Sequence, residues 1–387
     1  MERLRMALLY GADAVYLAGT AFGMRAAAGN FDQEQLRQAV KLAHGRGVRV
    51  YVTCNTLPRE DELAMLPGYL EFLQNAGADA LIVADIGVMS MAKKYAPKLA
   101  LHVSTQFGVI NSAAANSLYE LGADTVVLAR ETPLEDIRKI RENTPKELRL
   151  EAFVHGAMCV SFSGRCLLSN YLTGRDANRG QCAQPCRWKY HLVEETRPGE
   201  YFEISEDGGT HIMNSRDMCM IAHIPELLEA GVSSFKIEGR MKSSYYAAVV
   251  TNAYRHAIDA ALKGCPLDPV WVEETEKVSH RPYSTGFYYG DPGQHYSSAS
   301  YTTDADVMAV VDSCDQDGNA VLIQRGKFFR GDPLELLLPD RKPVSFTAER
   351  LYNAEGEEIE DTRHPAMVFQ MKLPVCAPQY AVVRRCR

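Results

Sequence analysis

The feature that most constrains the fold is a repeated junction, in which a helical pattern ends in glycine and a short apolar run follows at once. Gly-Ala-Asp occupies residues 11–13, 77–79 and 122–124, and Gly-Val-Ser at 231–233 is a looser copy. A glycine just past a helix provides the left-handed cap, and a continuous apolar run is typical of a strand covered on both faces. The repeat therefore predicts parallel βα units.

Seven strands are predicted in the first two-thirds of the chain, and helical patterns separate most of them. The runs are AVYLAG, VRVYVTCN, ALIVAD, LALHVSTQ, TVVLAR, LRLEAFVHG and SFKIEG. The fold class predicted is α/β, a (βα)8 TIM-like barrel that lacks its first strand, before Met1. A doubly wound open sheet is the alternative, although no glycine-rich nucleotide-binding motif supports it.

A long segment interrupts this alternation before the last strand. We predict a barrel domain over residues 1–264 that includes a cysteine-rich insertion at 156–217. Residues 265–300 mix Pro, Gly, Tyr and Ser and are predicted to be a linker. Residues 301–387 contain short strand-like runs separated by turns, which predict a small C-terminal β-barrel domain.

Charge and composition limit the partners. The 387 residues include 42 Lys and Arg against 49 Asp and Glu, a net charge of −7, so the surface as a whole does not suit polyanions and any nucleic acid must meet a local patch. The sequence shows neither a membrane-spanning apolar stretch nor a signal-peptide pattern, which predicts a cytoplasmic protein with no membrane partner. Thiols stay reduced there, so ten cysteines do not predict a disulfide framework.

Four of the cysteines are clustered, with the spacing Cys-x6-Cys-x15-Cys-x3-Cys. They are Cys159, Cys166, Cys182 and Cys186. Four converging thiolates hold either an iron–sulfur cluster or a structural zinc, and the absence of paired Cys-x2-Cys motifs favours the cluster. Burial as small apolar side chains is a third interpretation, but it poorly explains cysteines flanked by Gly, Arg and Asn.

Polar residues that close the predicted strands are the candidates for a barrel active site, because TIM barrels place reactive groups at the carboxyl ends of their strands. Glu131, His155 and Glu238 are the candidate catalytic residues, the first two for proton transfer. Lys236 and Arg240 suit an anionic carboxylate or phosphate, or else an ion pair with Glu238. The further strand-end residues are Asn55, Asp85, His102, Ser104, Gln106 and Arg130. Of these, His102 could instead belong to the barrel core.

Arginine and aromatic residues alternate in and beside the cysteine-rich stretch. They are Arg165, Arg175, Arg179, Arg187, Trp188, Lys189 and Tyr190. Charge interleaved with stacking surfaces is typical of proteins that bind single-stranded RNA, and a solvated loop is the alternative. Arg165 and Trp188 are the candidate substrate-binding residues here.

The same stretch carries a family resemblance. Residues that resemble the signature of the collagenase-like peptidase family U32 are Glu151, Phe153, His155, Gly156, Cys159, Gly164, Arg165, Cys166 and Ser169. The runs GRDANRGQCAQPCRWKY, IMNSRDM and SFKIEGRMKSSYY are most similar to the tRNA 5-hydroxyuridine branch of that family. The similarity extends over essentially the whole chain.

This resemblance implies a βα barrel with a cysteine-ligated [4Fe–4S] cluster. It also implies tRNA as the partner and oxygen-independent hydroxylation of the wobble uridine at carbon 5, with prephenate as the small-molecule co-substrate and hydroxyl donor. Two features depart from the family pattern. A starting strand of the type Leu-Ala-Pro-Ala-Gly is absent, and the fourth ligand varies between branches, so that Cys186 is expected here and Cys219 is a possible substitute.

Two other functions stay open. A metal-assisted peptidase could use His102, His155, Asp85 or Glu131, although no His-Glu-x-x-His helix, Gly-x-Ser-x-Gly elbow or P-loop is present. A non-catalytic RNA-binding protein with a structural cluster is the other. Turnover and the reduction potential of the cluster would separate that protein from an enzyme.

Overall fold

The computed structural model describes residues 1–24, 29–159, 161–162, 165–188, 192–193, 201–202, 215–293 and 301–387. They form two compact units, each built from separate parts of the chain. The barrel unit comprises Asp13–Met241 and His280–Tyr301. The terminal unit comprises Met1–Ala12, Lys242–Ser279 and Thr302–Arg387. The domain boundaries proposed above stay predictions.

Helices and strands alternate through most of the barrel unit. The helices given next are those of both units. The α-helices are α1 Glu2–Leu9, α2 Gln33–His44, α3 Leu66–Asn75, α4 Ile86–Tyr95, α5 Ser112–Glu120, α6 Leu134–Glu142, α7 Leu168–Thr173, α8 Ile224–Glu229, α9 Ser244–Leu262 and α10 Val270–Glu276. Short 3₁₀ helices cover Glu60–Met65, Thr105–Phe107, Ala177–Arg179, Pro185–Arg187 and Ile221–His223. None of the described helices is long and apolar enough to cross a membrane.

The described strands form a mainly parallel sheet, an eight-stranded antiparallel sheet and a small antiparallel sheet of two strands, Leu192–Val193 and Tyr201–Phe202. They are β1 Ala14–Ala18, β2 Arg49–Cys54, β3 Ala80–Val83, β4 Ala100–Val103, β5 Thr125–Val127, β6 Arg149–Ala157, β7 Leu192–Val193, β8 Tyr201–Phe202, β9 Asp217–Cys219, β10 Ser234–Ile237, β11 Tyr283–Ser284, β12 Ala305–Cys314, β13 Asn319–Gln324, β14 Pro333–Leu337, β15 Val344–Thr347, β16 Leu351–Asn353, β17 Glu358–Ile359, β18 Val368–Lys372 and β19 Val382–Cys386.

All seven predicted barrel strands form, and they are parallel neighbours in the order β1-β2-β3-β4-β5-β6-β10. A doubly wound sheet would reverse its strand order at a switch point, so this sequential order confirms the TIM-like prediction. β9 adds to β6 in the antiparallel direction, and β11 then pairs with β9. In the described chain no backbone ladder joins β10 to β1, but Tyr16 Oη donates to the carbonyl of Ile237 at 3.5 Å.

The Gly-Ala-Asp repeat has a structural reason. Gly77 and Gly122 have φ angles of +84° and +93°, in the left-handed region that glycine adopts without strain. The aspartates that follow them accept hydrogen bonds from neighbouring strands: Val50 N donates to Asp79 Oδ2 at 2.7 Å, and Leu101 N to Asp124 Oδ2 at 2.8 Å. Each copy therefore ends a helix and also fixes the start of the adjacent strand.

The terminal unit contains the second sheet, whose eight antiparallel strands have the order β15-β14-β19-β12-β13-β18-β16-β17. Its core includes Phe328, Phe369 and Leu322, all completely buried. Arg384 on β19 is also buried and donates to both carboxylate oxygens of Glu274 on α10, at 2.6 and 2.8 Å. The sheet confirms the separate antiparallel β-structure that the sequence predicts for the C-terminal part of the chain.

Candidate functional site

Side-chain hydrogen bonds connect the carboxyl ends of β2 and β4. Asn55 Nδ2 donates to Gln106 Oε1 at 2.7 Å, and Ser104 Oγ donates to the same oxygen at 3.1 Å. Met24 N donates to Asn55 Oδ1 at 3.2 Å, which fixes the other side of the amide group. These strand-end residues therefore meet at the mouth of the barrel, by which we mean the carboxyl ends of its parallel strands.

The end of β10 extends this network towards β2 and β6. Arg240 Nη1 donates to Thr53 Oγ1 at 3.1 Å, and the backbone N–H of Arg240 donates to Glu238 Oε1 at 3.1 Å. Glu238 N in turn donates to the carbonyl of His155 at 2.9 Å. Thr53 was not among the sequence candidates, because it lies inside the apolar run of β2.

Gly156 explains why glycine follows His155 in the signature. Its φ is +128°, and a Cβ built there would lie 2.9 Å from both the Cβ and the carbonyl oxygen of Glu238. Any side chain at this position would push the end of β10 away from β6. Glycine is thus required for Glu238 to reach the mouth.

His155 is buried and contacts Tyr283. Its Nε2 lies 3.3 Å from Tyr283 Oη, and the two rings meet edge to face. Tyr283 also stacks on His280, with ring centroids 4.1 Å apart. The ring of His155 is therefore held in place by Tyr283.

Lys236 is held by a buried carboxylate. Its Nζ donates to Glu151 Oε1 at 2.6 Å, while Ser234 Oγ donates to Glu151 Oε2 at 2.8 Å. Burial alone would raise the pKa of Glu151, but the Lys236 ammonium and the Ser234 hydroxyl lower it below its usual value. An anion at Lys236 would therefore compete with Glu151, and the predicted role of Lys236 stays a prediction.

His102 lies in the barrel core. Its ring contacts that of Tyr51 edge to face at 4.4 Å, and within the described residues neither ring nitrogen has a hydrogen-bond partner. Burial lowers the pKa of His102 to about 4, so the ring is neutral at physiological pH. The core interpretation of His102 holds, although its polar atoms are not satisfied as those of a core histidine usually are.

Three other candidates occupy separate positions around the strand ends. Asp85 Oδ1 accepts from Val88 N at 2.9 Å, so this carboxylate caps α4. Arg130 Nη1 donates to the carbonyl of Ala157 at 2.8 Å. Glu131 follows Arg130 and is partly buried.

The described residues of the cysteine segment, 159–188, contact loops at the mouth. Arg179 donates to the carbonyl of Leu57 at 2.8 Å and to Glu62 Oε1 at 2.7 Å, both in the connection after β2. Phe162 approaches Gly108 after β4 so closely that a Cβ there would lie 3.1 Å from its ring. Two strand-end loops therefore contact the segment.

The four clustered cysteines influence one another electrostatically. Burial raises the pKa of the Cys159 thiol, and the charges of Cys166 and Cys182 raise it further, whereas Arg130 lowers it. Burial also raises the pKa of the Cys186 thiol, with added contributions from the other three cysteines. Four neighbouring thiols are a donor set that suits an iron–sulfur cluster.

Ligation itself stays a prediction. In the described part of the chain, no three or more His, Cys, Asp or Glu side chains are arranged so that they could hold a metal ion. Cys219, the alternative fourth ligand, lies on β9 in register with His155 on β6. It therefore lies at the strand end beside the segment rather than within it.

A buried ion pair that the sequence did not indicate lies beside the start of the segment. Arg281 Nε and Nη2 donate to Asp217 Oδ1 at 2.9 and 2.6 Å, and both side chains are almost completely buried. Arg281 Nη2 also reaches the carbonyl of Met158 at 3.4 Å. The pair thus joins Met158, the residue before Cys159, to Asp217 at the end of the insertion.

The predicted RNA-binding residues differ in their contacts. Arg165, Arg175 and Trp188 are exposed. Arg187 Nη1 donates to Tyr301 Oη at 2.7 Å, whereas Arg179 is the residue bound to Leu57 and Glu62. The predicted residues Lys189 and Tyr190, together with Gly164 of the signature, lie outside the described residues.

Comparison with known families agrees with the signature around His155 and Cys159. The profile of peptidase family U32 matches residues 1–298, and that of the family's C-terminal domain matches residues 303–384. The chain belongs to peptidase family U32. This confirms the resemblance inferred from the sequence.

Similar proteins are named either for the hydroxylation of RNA or as proteases. The tRNA hydroxylation protein P1 of Bacillus subtilis is 36% identical over 380 residues, which cover 96% of this chain and 90% of that protein. An uncharacterized protease of Methanocaldococcus jannaschii is 44% identical over 298 residues, 76% of this chain and 72% of that one. A 23S rRNA 5-hydroxycytidine synthase of Escherichia coli is 37% identical over 286 residues, 72% of this chain but 42% of its own.

Proposed function

We propose that this protein is an RNA-modifying enzyme that hydroxylates carbon 5 of the wobble uridine in tRNA without dioxygen. The observation that carries the proposal is the position of the cysteine segment, whose Arg179 and Phe162 contact the loops after β2 and β4. A redox centre in this segment would adjoin the polar strand ends. The names of two relatives, a tRNA hydroxylation protein and an rRNA 5-hydroxycytidine synthase, support the same chemistry.

The proposed cofactor is a [4Fe–4S] cluster held by Cys159, Cys166, Cys182 and Cys186, with Cys219 as the alternative to Cys186. When bound, such a cluster supplies electron transfer at a potential that its protein surroundings set. Ligation requires thiolates, so the raised pKa values of Cys159 and Cys186 mean that cluster binding releases protons. Arg130 favours the thiolate of Cys159.

The mouth offers groups that suit a uracil ring and an anion. Uracil presents one N–H donor and two carbonyl acceptors, and the linked amides of Asn55 and Gln106 supply both kinds of partner. Arg240, which the end of β10 places at the mouth, suits a carboxylate of the small-molecule co-substrate, proposed to be prephenate as hydroxyl donor. Arg165 and Trp188 would then contact the RNA outside the mouth.

Proton transfer is assigned to the strand ends. Hydroxylation replaces the hydrogen on carbon 5 with a hydroxyl group and removes two electrons from the ring. The proposed co-substrate would break its C–OH bond and be reduced by these two electrons, so a base must accept the proton from carbon 5 and return it to the co-substrate. Glu131, His155 and Glu238 are the proposed residues. Glu238 Oε1 is positioned by the backbone N–H of Arg240, and His155 by Tyr283.

Peptide hydrolysis is the second candidate, because one relative is named a protease. Of the residues suggested for it, His102 is buried in the barrel core and Asp85 caps a helix. His102 is therefore inaccessible to a peptide, and Asp85 Oδ1 already accepts the capping hydrogen bond of α4. The structure therefore gives this function less support than RNA hydroxylation.

Deleting the gene in its host and measuring tRNA nucleosides by mass spectrometry tests the proposal. We expect loss of 5-hydroxyuridine and its derivatives, and recovery when the wild-type gene is returned. Single Ser variants of Cys159, Cys166 and Cys182 should fail to restore it, and comparing C186S with C219S identifies the fourth ligand. C376S, which changes an exposed cysteine of the terminal unit, is the matched control and should restore it fully.

Anaerobic purification with iron and sulfide assays provides the independent readout. We expect about four irons per chain, as a [4Fe–4S] cluster requires, and a large loss in C159S. Unchanged nucleosides in a host without a paralogue, together with gelatin cleavage by the purified protein, would support the peptidase instead. If tRNA binds but its nucleosides do not change, the protein is a non-catalytic RNA-binding protein.

A further inference from the structure

The cysteine segment exposes large apolar side chains that folded chains usually bury. Tyr171 has 86% of its surface exposed and Trp188 has 43%, and Phe162, Leu167 and Leu172 are also exposed. Single exposed apolar residues are common on protein surfaces, but several within 27 residues are typical of a binding surface. The exposed apolar cluster therefore indicates a surface that binds a partner.

The two most prominent rings belong to one small scaffold. Tyr171 lies on α7, and Trp188 directly follows the 3₁₀ helix Pro185–Arg187. Ala183 N donates to the buried Ser169 hydroxyl at 3.0 Å, which ties the chain before Pro185 to α7. This hydrogen bond between Ala183 and Ser169 joins the two elements without involving either ring.

Charge indicates the class of partner. The segment contains four arginines and one acidic residue, Asp176, although the whole chain is negative. Arg179 is bound to Glu62, whereas Arg165 and Arg175 are exposed on the surface. Exposed aromatic rings among arginines are what proteins use to stack unpaired bases and to contact the adjacent phosphates.

We propose that Tyr171 and Trp188 stack on unpaired bases of the RNA loop that carries the target nucleotide, while Arg165 and Arg175 contact its phosphates. This inference rests on the proposed function and extends it by naming the recognised feature, an unpaired loop with separated bases. Bases in a duplex already stack on each other and cannot also cover these rings. Stacking tolerates any base, so the surface reads the single-stranded state rather than the sequence.

Trp188 itself reports the interaction. The chain has two tryptophans, and the other, Trp271, is buried. We would titrate the whole protein at low salt with a stem-loop RNA that carries the anticodon loop, and with a duplex of the same length. The stem-loop should quench the fluorescence and the duplex should not, and Trp271→Phe should keep the quenching.

Variants of Tyr171 identify the stacking contact. Tyr171→Ala should weaken stem-loop affinity by roughly 5- to 150-fold, the range found when one base loses its aromatic partner. Tyr171→Phe keeps the ring and should leave the affinity unchanged. Phe329→Ala removes an exposed aromatic of the terminal unit, and it should also leave the affinity unchanged.

Unchanged stem-loop affinity in Tyr171→Ala, or equal quenching by duplex and stem-loop, would overturn the inference. If the Tyr171→Ala gene restores 5-hydroxyuridine to the wild-type level in the deletion strain, the inferred stacking contact is wrong and the proposed function stands. If wild-type protein binds neither RNA and gene deletion leaves the nucleosides unchanged, both are wrong.

Discussion

The barrel strands and the cysteine segment belong to the same unit but are stabilised in different ways. Strand residues such as Leu81, Val126 and Leu150 are completely buried. Residues of the segment, in contrast, expose much of their apolar surface, as Tyr171 does, and Arg179 joins them to the barrel through polar contacts. The strands are therefore stabilised by the burial of apolar side chains, whereas the segment is held by polar contacts and leaves apolar surface exposed.

The largest expected difference between the strands and the segment is in the free energy of unfolding that is lost when a leucine is replaced by alanine. Leu150→Ala should lower the free energy of unfolding by about 2–5 kcal/mol, because it leaves a cavity in the core. Leu167→Ala in the segment should change it by less than about 0.5 kcal/mol, because Leu167 is exposed. Urea unfolding measures both, and similar losses would contradict the comparison.

The stability of the barrel core should decrease in acid. Burial lowers the pKa of His102 to about 4 from 6.5 in the unfolded chain, so the unfolded chain takes up the proton first as pH falls. The contribution to stability is complete above pH 6.5 and is lost as pH falls towards 4, by up to about 3 kcal/mol. Unfolding of His102→Asn should therefore depend less on pH over this window, and an unchanged slope would refute the assignment.

The stability of the segment should depend on pH in the alkaline range. The pKa values of Cys159 and Cys186 are raised above 9.0 in the folded protein without a cluster, so this contribution is complete below pH 9 and is lost as pH rises further. A cluster would remove the effect, because its ligands are already thiolates. Alkaline titration of protein prepared with and without the cluster measures the difference.

The smallest effect should come from the polar contact between the two regions. The ion pair of Arg179 and Glu62 is partly exposed, and such pairs contribute about 0–1 kcal/mol. Arg179→Ala should hardly change global stability, yet it should speed proteolysis within residues 159–188. Arg175→Ala removes an exposed arginine of the same segment, and equal cleavage of the two variants would show that the contact does not hold the segment.

Much of the barrel could be predicted because its signals are local. The glycine at residue 77 and the aspartate at 79 mark the end of one helix and the start of the next strand. The meeting of Asn55 with Gln106 followed from the rule that parallel strands bring their carboxyl ends together. Each of these features depends on a few neighbouring residues or on the strand order.

Other parts of the site have no local signal. Arg281 and Asp217 are 64 residues apart, and nothing in their surroundings marks them as partners. Tyr283 comes from a stretch that the composition suggested was a linker, yet it contacts His155. Thr53 is hidden within an apolar run, and only the approach of Arg240 gives it a role.

The sequence by itself determined the βα repeat, the seven strands, the clustered cysteines and the family, because periodicity, capping and motif spacing are properties of short stretches of chain. Only the tertiary structure decided that Lys236 is bound by Glu151, that His102 is buried with no hydrogen-bond partner among the described residues, and that Tyr171 faces solvent. Burial and partner choice depend on residues distant in the chain. The pKa of a buried group and the exposure of a ring are set by those neighbours, which no local pattern specifies.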